Sequence, residues 1–184
     1  MYTYHTPDTA PQASLSLLEA SQKAYGFHPM LHRVMAEAPI NYQAYLDTFG
    51  LFTEKGTLTP TEQQVVMMTV NVINECHYCT AGHTMLMKML KVDEDVIEAL
   101  REGAPLADAK LEALRVYTKG LVEQRGHIGD DALQAFLDAG YTKAQSLEVI
   151  VGIATKTLSN FTNALAHTEI DEPVKPFAID FAAE

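Results

Sequence analysis

Cysteine is nearly missing from this 184-residue chain, which has two, and basic residues are scarce, 13 against 24 acidic ones. The resulting net charge of −11 repels a phosphate backbone, and no basic patch offsets it, so nucleic acid is not expected as a partner. No apolar run reads as a membrane span, because polar residues such as Asn71, Asn74 and Lys156 interrupt the longest ones. The segment from Met1 to Pro7 has neither a basic region nor an apolar stretch, so no secretory signal is expected. With no signal and no spare cysteines for structural bridges, a reducing compartment, the cytoplasm, is the expected location. Runs of alternating strand type are missing as well. What remains is 47% hydrophobic and 20% charged, a globular composition suited to one all-α domain over residues 1–184.

Helix punctuation is frequent. Ser16-Leu17-Leu18-Glu19 reads as a capping box opening a first helix that stops near Gly26; a short helix follows Pro29 and a longer one runs from Pro39 to near Gly56. Thr59-Pro60-Thr61-Glu62 combines a capping residue, a proline at the first helical position and a reciprocal carboxylate, the strongest helix start in the chain. The helix it opens is apolar around most of its circumference as far as Ile73, and so should be central, with Asn74 and Glu75 breaking it. Further helices are predicted through Leu90, after Asp93, over about 108–125 and 130–140, and from the capping box Thr142-Lys143-Ala144-Gln145 to about His167. The tail with Pro173 and Pro176 should be extended, its Phe177, Ile179 and Phe181 packing across another surface. A shift of 84 residues sets Cys76, Cys79 and His83 over Asn160, Asn163 and His167, an echo that internal duplication explains about as well as chance does.

Both cysteines fall in Glu75-Cys76-His77-Tyr78-Cys79-Thr80-Ala81-Gly82-His83, a single C-x-x-C-x-x-x-H site. Such a pair can attack an oxidised substrate and then close a small disulfide ring at little loop entropy. On a helix His83 follows Cys79 by four residues on the same face, where the imidazole could deprotonate the thiol or act as counter-ion to its thiolate. Cys76, at or before the first turn, would meet unpaired backbone N–H groups that also favour a thiolate. Inert core packing is the bland alternative. A zinc site is the rival chemistry, with Cys76, Cys79 and His83 as three ligands and His77, His167 or water as the fourth. Haem attachment fails, because Thr80 stands where C-x-x-C-H needs histidine. Tyr78 is as well suited to donating a hydrogen bond at the site as to packing, and the methionines from Met67 to Met89 would give an apolar wall.

Taken together, Leu58-Thr59-Pro60-Thr61-Glu62-Gln63-Gln64, the apolar helix and the cysteine motif resemble the alkylhydroperoxidase D-like branch of the carboxymuconolactone decarboxylase family. The resemblance implies an all-helical bundle, assembly as trimers or hexamers, and a thiol-dependent peroxidase that needs no organic or metal cofactor. It makes Cys79 the peroxide-attacking thiol, Cys76 the resolving thiol and His83 the relay histidine, with a hydroperoxide as substrate and a dithiol or protein as reductant. Two positions depart from the family: the relay glutamate is Gln64 here, which cannot accept a proton as a carboxylate does, and Tyr78 stands where some members have histidine. Glu62 and Glu75 are candidate substitute carboxylates. A decarboxylase or other lyase on the same scaffold, a redox sensor and a metal-binding module remain the alternatives.

Overall fold

The computed structural model describes residues 2–181, and among them every regular element is helical. The α-helices are α1 (Leu15–Tyr25), α2 (Met30–Met35), α3 (Pro39–Gly50), α4 (Pro60–Ile73), α5 (His77–Met89), α6 (Glu94–Arg101), α7 (Ala109–Glu123), α8 (Gly129–Asp138) and α9 (Lys143–Ala166). α3 continues into one π-helical stretch, Leu51–Lys55, so its expected end near Gly56 holds.

α4 begins as its sequence requires. Thr59 accepts from the Glu62 N–H while Glu62 accepts from the Thr59 N–H, and Pro60 occupies the first turn. Thr142 and Gln145 do the same for α9. Val65, Val66, Met67, Met68 and Val70 on α4 are buried, which makes α4 the axis around which α5, α7 and α9 pack. α9 approaches the axis closely at Gly152, where a Cβ would lie 2.8 Å from both Phe52 Cζ and Val66 Cγ1. A second, smaller cluster, with Leu18, Leu31, Met35, Tyr42 and Tyr45, joins α1–α3 and meets Tyr78 and Leu158.

Two expectations are corrected. The capping box at Ser16 does not form; α1 continues from a 3₁₀ turn, Gln12–Ser14, and Ser14, which precedes it, donates to Ala36 O instead of capping the helix. The tail is not wholly extended: Glu172–Phe177 is a 3₁₀ helix, since the φ that proline imposes on Pro173 and Pro176 also suits that helix. Beyond it the tail does cross another surface, the Phe181 ring lying against His77 with centroids 5.0 Å apart.

Candidate active site

Three residues turn the chain from α4 into α5. Asn74 ends α4, Glu75 takes a left-handed backbone with φ of 48°, and Cys76, extended, donates its N–H to Asn71 O at 2.9 Å. Cys76 is thereby the N-cap of α5 and Cys79 stands in its first turn, where free N–H groups favour an anion. α9 covers both sulfurs: Asn163 Nδ2 lies 3.3 Å from Cys79 Sγ and 3.8 Å from Cys76 Sγ, and Ser159 Oγ lies 3.7 Å from Cys79 Sγ. Asn160 and Asn74 hold the two helices together, Asn74 donating to Asn160 and Asn160 to Asn71. The residues that the 84-residue echo aligned with the cysteines therefore face them, from one unbroken helix rather than a broken pair.

His83 sits one turn beyond Cys79, and both its ring nitrogens are engaged. Nδ1 is 2.8 Å from Gln64 Oε1 and Nε2 is 2.9 Å from Lys156 Nζ. Since the ammonium can only donate, Nε2 accepts and Nδ1 carries the proton that Gln64 receives. Burial, and then the charge of Lys156, hold the His83 pKa well below its ordinary value, so the imidazole is neutral. This corrects the expectation that His83 supplies the positive charge for the thiolate. The cation is Lys156, 1% exposed, with no ion-paired carboxylate among the described residues. In the sequence it showed only as a polar interruption of an apolar helix.

The two thiols are driven apart. Burial pushes Cys79 up, but the hydrogen bond from the Cys76 thiol, the Lys156 charge, and hydrogen bonds with Ser159 and Asn160 outweigh it, and its pKa falls from 9.0 to about 5. Cys76, donating to Cys79 and buried beside it, is pushed up. The thiolate is thus favoured on Cys79 rather than on the N-cap cysteine. Both thiols are buried, Cys79 3% exposed and Cys76 5%, so access depends on cavities.

Cys79, His83 and Lys156 open on a cavity of about 300 Å³ walled by Tyr25, Phe49, Tyr78, Met85 and other apolar groups from α1, α2, α3 and α5. Tyr78 is fixed in that wall, donating to Asp171 Oδ2 and accepting from the Leu31 N–H at 3.3 Å; burial and then the Asp171 charge raise its pKa, so it stays a phenol. Asp171 also accepts the Met30 N–H at 3.0 Å. His32, another wall residue, is neutral, its pKa pushed down to about 4 by burial and by His28. Gln64 touches His83 and Tyr78 borders the cavity, while Glu62 is tied to Thr59 and Lys110 and so does not replace the relay carboxylate. No three His, Cys, Asp or Glu side chains converge as metal ligands among the described residues, and Lys156 occupies the His83 nitrogen that zinc would need.

In its fold the protein is similar to alkylhydroperoxidase D-like helical proteins. It is similar to the alkylhydroperoxidase AhpD core of a peroxidase-related protein from Ralstonia eutropha, with 16% identity, a TM-score of 0.83 and 94% of this chain matched to 93% of that one. A peroxidase-related protein from Silicibacter matches at 17% identity and TM-score 0.78, covering 94% and 91% of the two chains. The debrominase Bmp8 matches at 16% identity and TM-score 0.78, covering 96% and 95%. A search of curated proteins gave no match. The carboxymuconolactone decarboxylase family profile matches residues 41–119, the segment that holds both cysteines.

Proposed function

We propose that this chain is a thiol-dependent peroxidase or disulfide reductase in which Cys79 is the nucleophile and Cys76 the resolving thiol. The observation that carries the reading is one thiol, Cys79, lowered toward thiolate by Cys76 and Lys156 at the floor of an apolar cavity. The Cys79 thiolate attacks the distal oxygen of a hydroperoxide; the O–O bond breaks and leaves Cys79 as a sulfenic acid. Lys156, the ammonium lining the cavity, gives its proton to the departing alkoxide, and His83, held by Gln64, keeps that ammonium in place. The Cys76 thiol then displaces water from the sulfenic acid and closes the disulfide, for which an external thiol supplies two electrons. Gln64 thus orients His83 and carries no proton itself. A reducing compartment such as the cytoplasm suits this cycle. Self-association as a trimer or hexamer is supported by Leu147, Phe161 and Leu165, exposed along α9.

Stopped-flow mixing of the reduced protein with cumene hydroperoxide should consume one peroxide per molecule and remove two thiols. Retention of both thiols overturns the reading. A second reading, reductive dehalogenation of an aromatic compound, is favoured by the aromatic cavity wall and by the fold shared with Bmp8, a variant of which binds 2,3,4-tribromopyrrole. Bromide release from that compound with a supplied dithiol tests it. Decarboxylation gives the dithiol no role.

A further inference from the structure

The two sulfurs face different openings. Cys79 borders the apolar cavity of about 300 Å³, whereas Cys76 borders a separate cleft of about 150 Å³ with Glu75, His77, Asn163, Ala164 and Thr168. The cleft lies between the first turn of α5 and the last turn of α9, where His167 takes a left-handed backbone to end the helix. Most of the residues lining it have polar side chains, and two of them carry a buried oxygen, Asn163 Oδ1 and Thr168 Oγ1, with no hydrogen-bond partner among the described residues. Such atoms are costly to leave unpaired, and two of them beside one cleft suit a polar visitor. The larger cavity is walled mainly by apolar and aromatic side chains.

We propose that this cleft is the entry for the reductant: a small polar thiol reaches Cys76 Sγ there, while the oxidised substrate reaches Cys79 through the other opening. The proposal rests on the reading of the pair as a redox dithiol. In the step, the reductant's thiolate attacks Cys76 Sγ, an S–S bond forms between them, the Cys76–Cys79 bond breaks, and its electron pair leaves on Cys79. A second thiol of the reductant then attacks the reductant's own sulfur, releasing an oxidised disulfide and leaving Cys76, which takes up a proton. Two electrons pass from two thiols to the protein disulfide.

The direction of attack agrees with the geometry of the sulfurs. Exchange is fastest when the departing sulfur is the more acidic one. Attack at Cys76 expels Cys79, the sulfur that Asn163 Nδ2 approaches to 3.3 Å and Ser159 Oγ to 3.7 Å. Attack at Cys79 would expel Cys76, which Asn163 Nδ2 approaches only to 3.8 Å, and would require the polar reductant to cross the apolar cavity. Substrate and reductant therefore do not compete for one opening.

The test begins with the disulfide made by diamide, so that it does not depend on peroxide. The oxidised protein is mixed with β-mercaptoethanol, quenched in acid over a time series and digested for mass spectrometry. The adduct is expected on Cys76; an adduct on Cys79 overturns the proposal. A second arm fills the cleft with Ala164→Trp, at an exposed position of α9. Reduction by dithiothreitol should slow at least ~10-fold, as expected for access-limited exchange. A rate equal to the parent's, in a variant of unchanged circular dichroism, overturns the proposal. If peroxide fails to oxidise the pair but both arms behave as stated, the peroxidase reading fails and the reductant entry stands.

Discussion

Replacing Lys156 by methionine removes the one ammonium at the cavity floor while keeping most of the side chain's apolar length, so the packing around it changes little. Cys79 starts with its pKa lowered from 9.0 to about 5. A nearby opposite charge lowers an acid's pKa by roughly 1–3, so the variant's midpoint should fall at about 6–8. At pH 6 the thiolate fraction then drops from about 90% to between about 50% and about 1%, a loss of roughly 2- to 90-fold in thiolate-dependent rate. The other titratable neighbours change little: Cys76, Tyr45 and Tyr78 all have raised pKa values, His32 is held neutral, and burial, the first cause of the lowered His83 pKa, remains when Lys156 is removed. Iodoacetamide alkylation of the reduced protein from pH 4 to 10, with peptide mapping to separate the two cysteines, reads the midpoint at Cys79. An unchanged midpoint in a variant with an intact fold refutes the assignment of Lys156 as the counter-ion. It would leave the N-terminus of α5 and the hydrogen bonds from α9 as the whole cause.

Gln64→Glu should raise the Cys79 midpoint in the same assay, because a carboxylate 2.8 Å from His83 Nδ1 makes a second claim on the Lys156–His83 pair; no movement would make Gln64 purely structural. The reduced protein should gain stability as pH rises from about 5 toward 9, because the native state sheds the Cys79 proton first, and lose that gain as pH falls through about 5. The oxidised protein has no such thiol, so equal slopes in urea melts of the two forms would contradict this. Gly152→Ala should cost about 1–3 kcal/mol by overpacking, since its Cβ would meet Phe52 and Val66 at 2.8 Å; an unchanged melting temperature would show that α9 can move aside. Asp171→Ala should cost about 1.5–3 kcal/mol for the lost charged hydrogen bonds, seen as a lower denaturation midpoint.

Local chemistry explains which parts of the fold could be read from the chain alone. The boxes at Thr59 and Thr142 formed because each needs only residues within one turn, and both cysteines were found because their spacing is itself the signal. Ser16 offered the same local pattern and failed, since the hydrogen bond that decides that helix start joins Ser14 to Ala36, 22 residues away. Lys156 was missed for a related reason: its partner His83 is 73 residues distant, and nothing in Thr155-Lys156-Thr157 shows that the lysine is buried. Its one trace in the sequence was a cation in the interior of a long helix with an apolar flank, a pattern that fits a solvated lysine equally well. The absence of the family's carboxylate at position 64 looked like a loss. With Gln64 accepting from a neutral imidazole, it instead leaves the lysine's charge unshared by any carboxylate among the described residues.

Asp171 ties Met30 and Tyr78 into one wall, across sequence separations of 141 and 93 residues. During synthesis, therefore, α5 leaves the ribosome long before the residue that closes its cavity exists. Cys76 and Cys79 are made together and lie three positions apart, while α9, which shields both sulfurs, and then Asp171 come later. Over that interval the thiols are at their most accessible and lack the lysine that sets one of them apart. A dithiol oxidised at that stage would join two ordinary thiols, so the asymmetry between the two sulfurs is acquired only when the last contacts close.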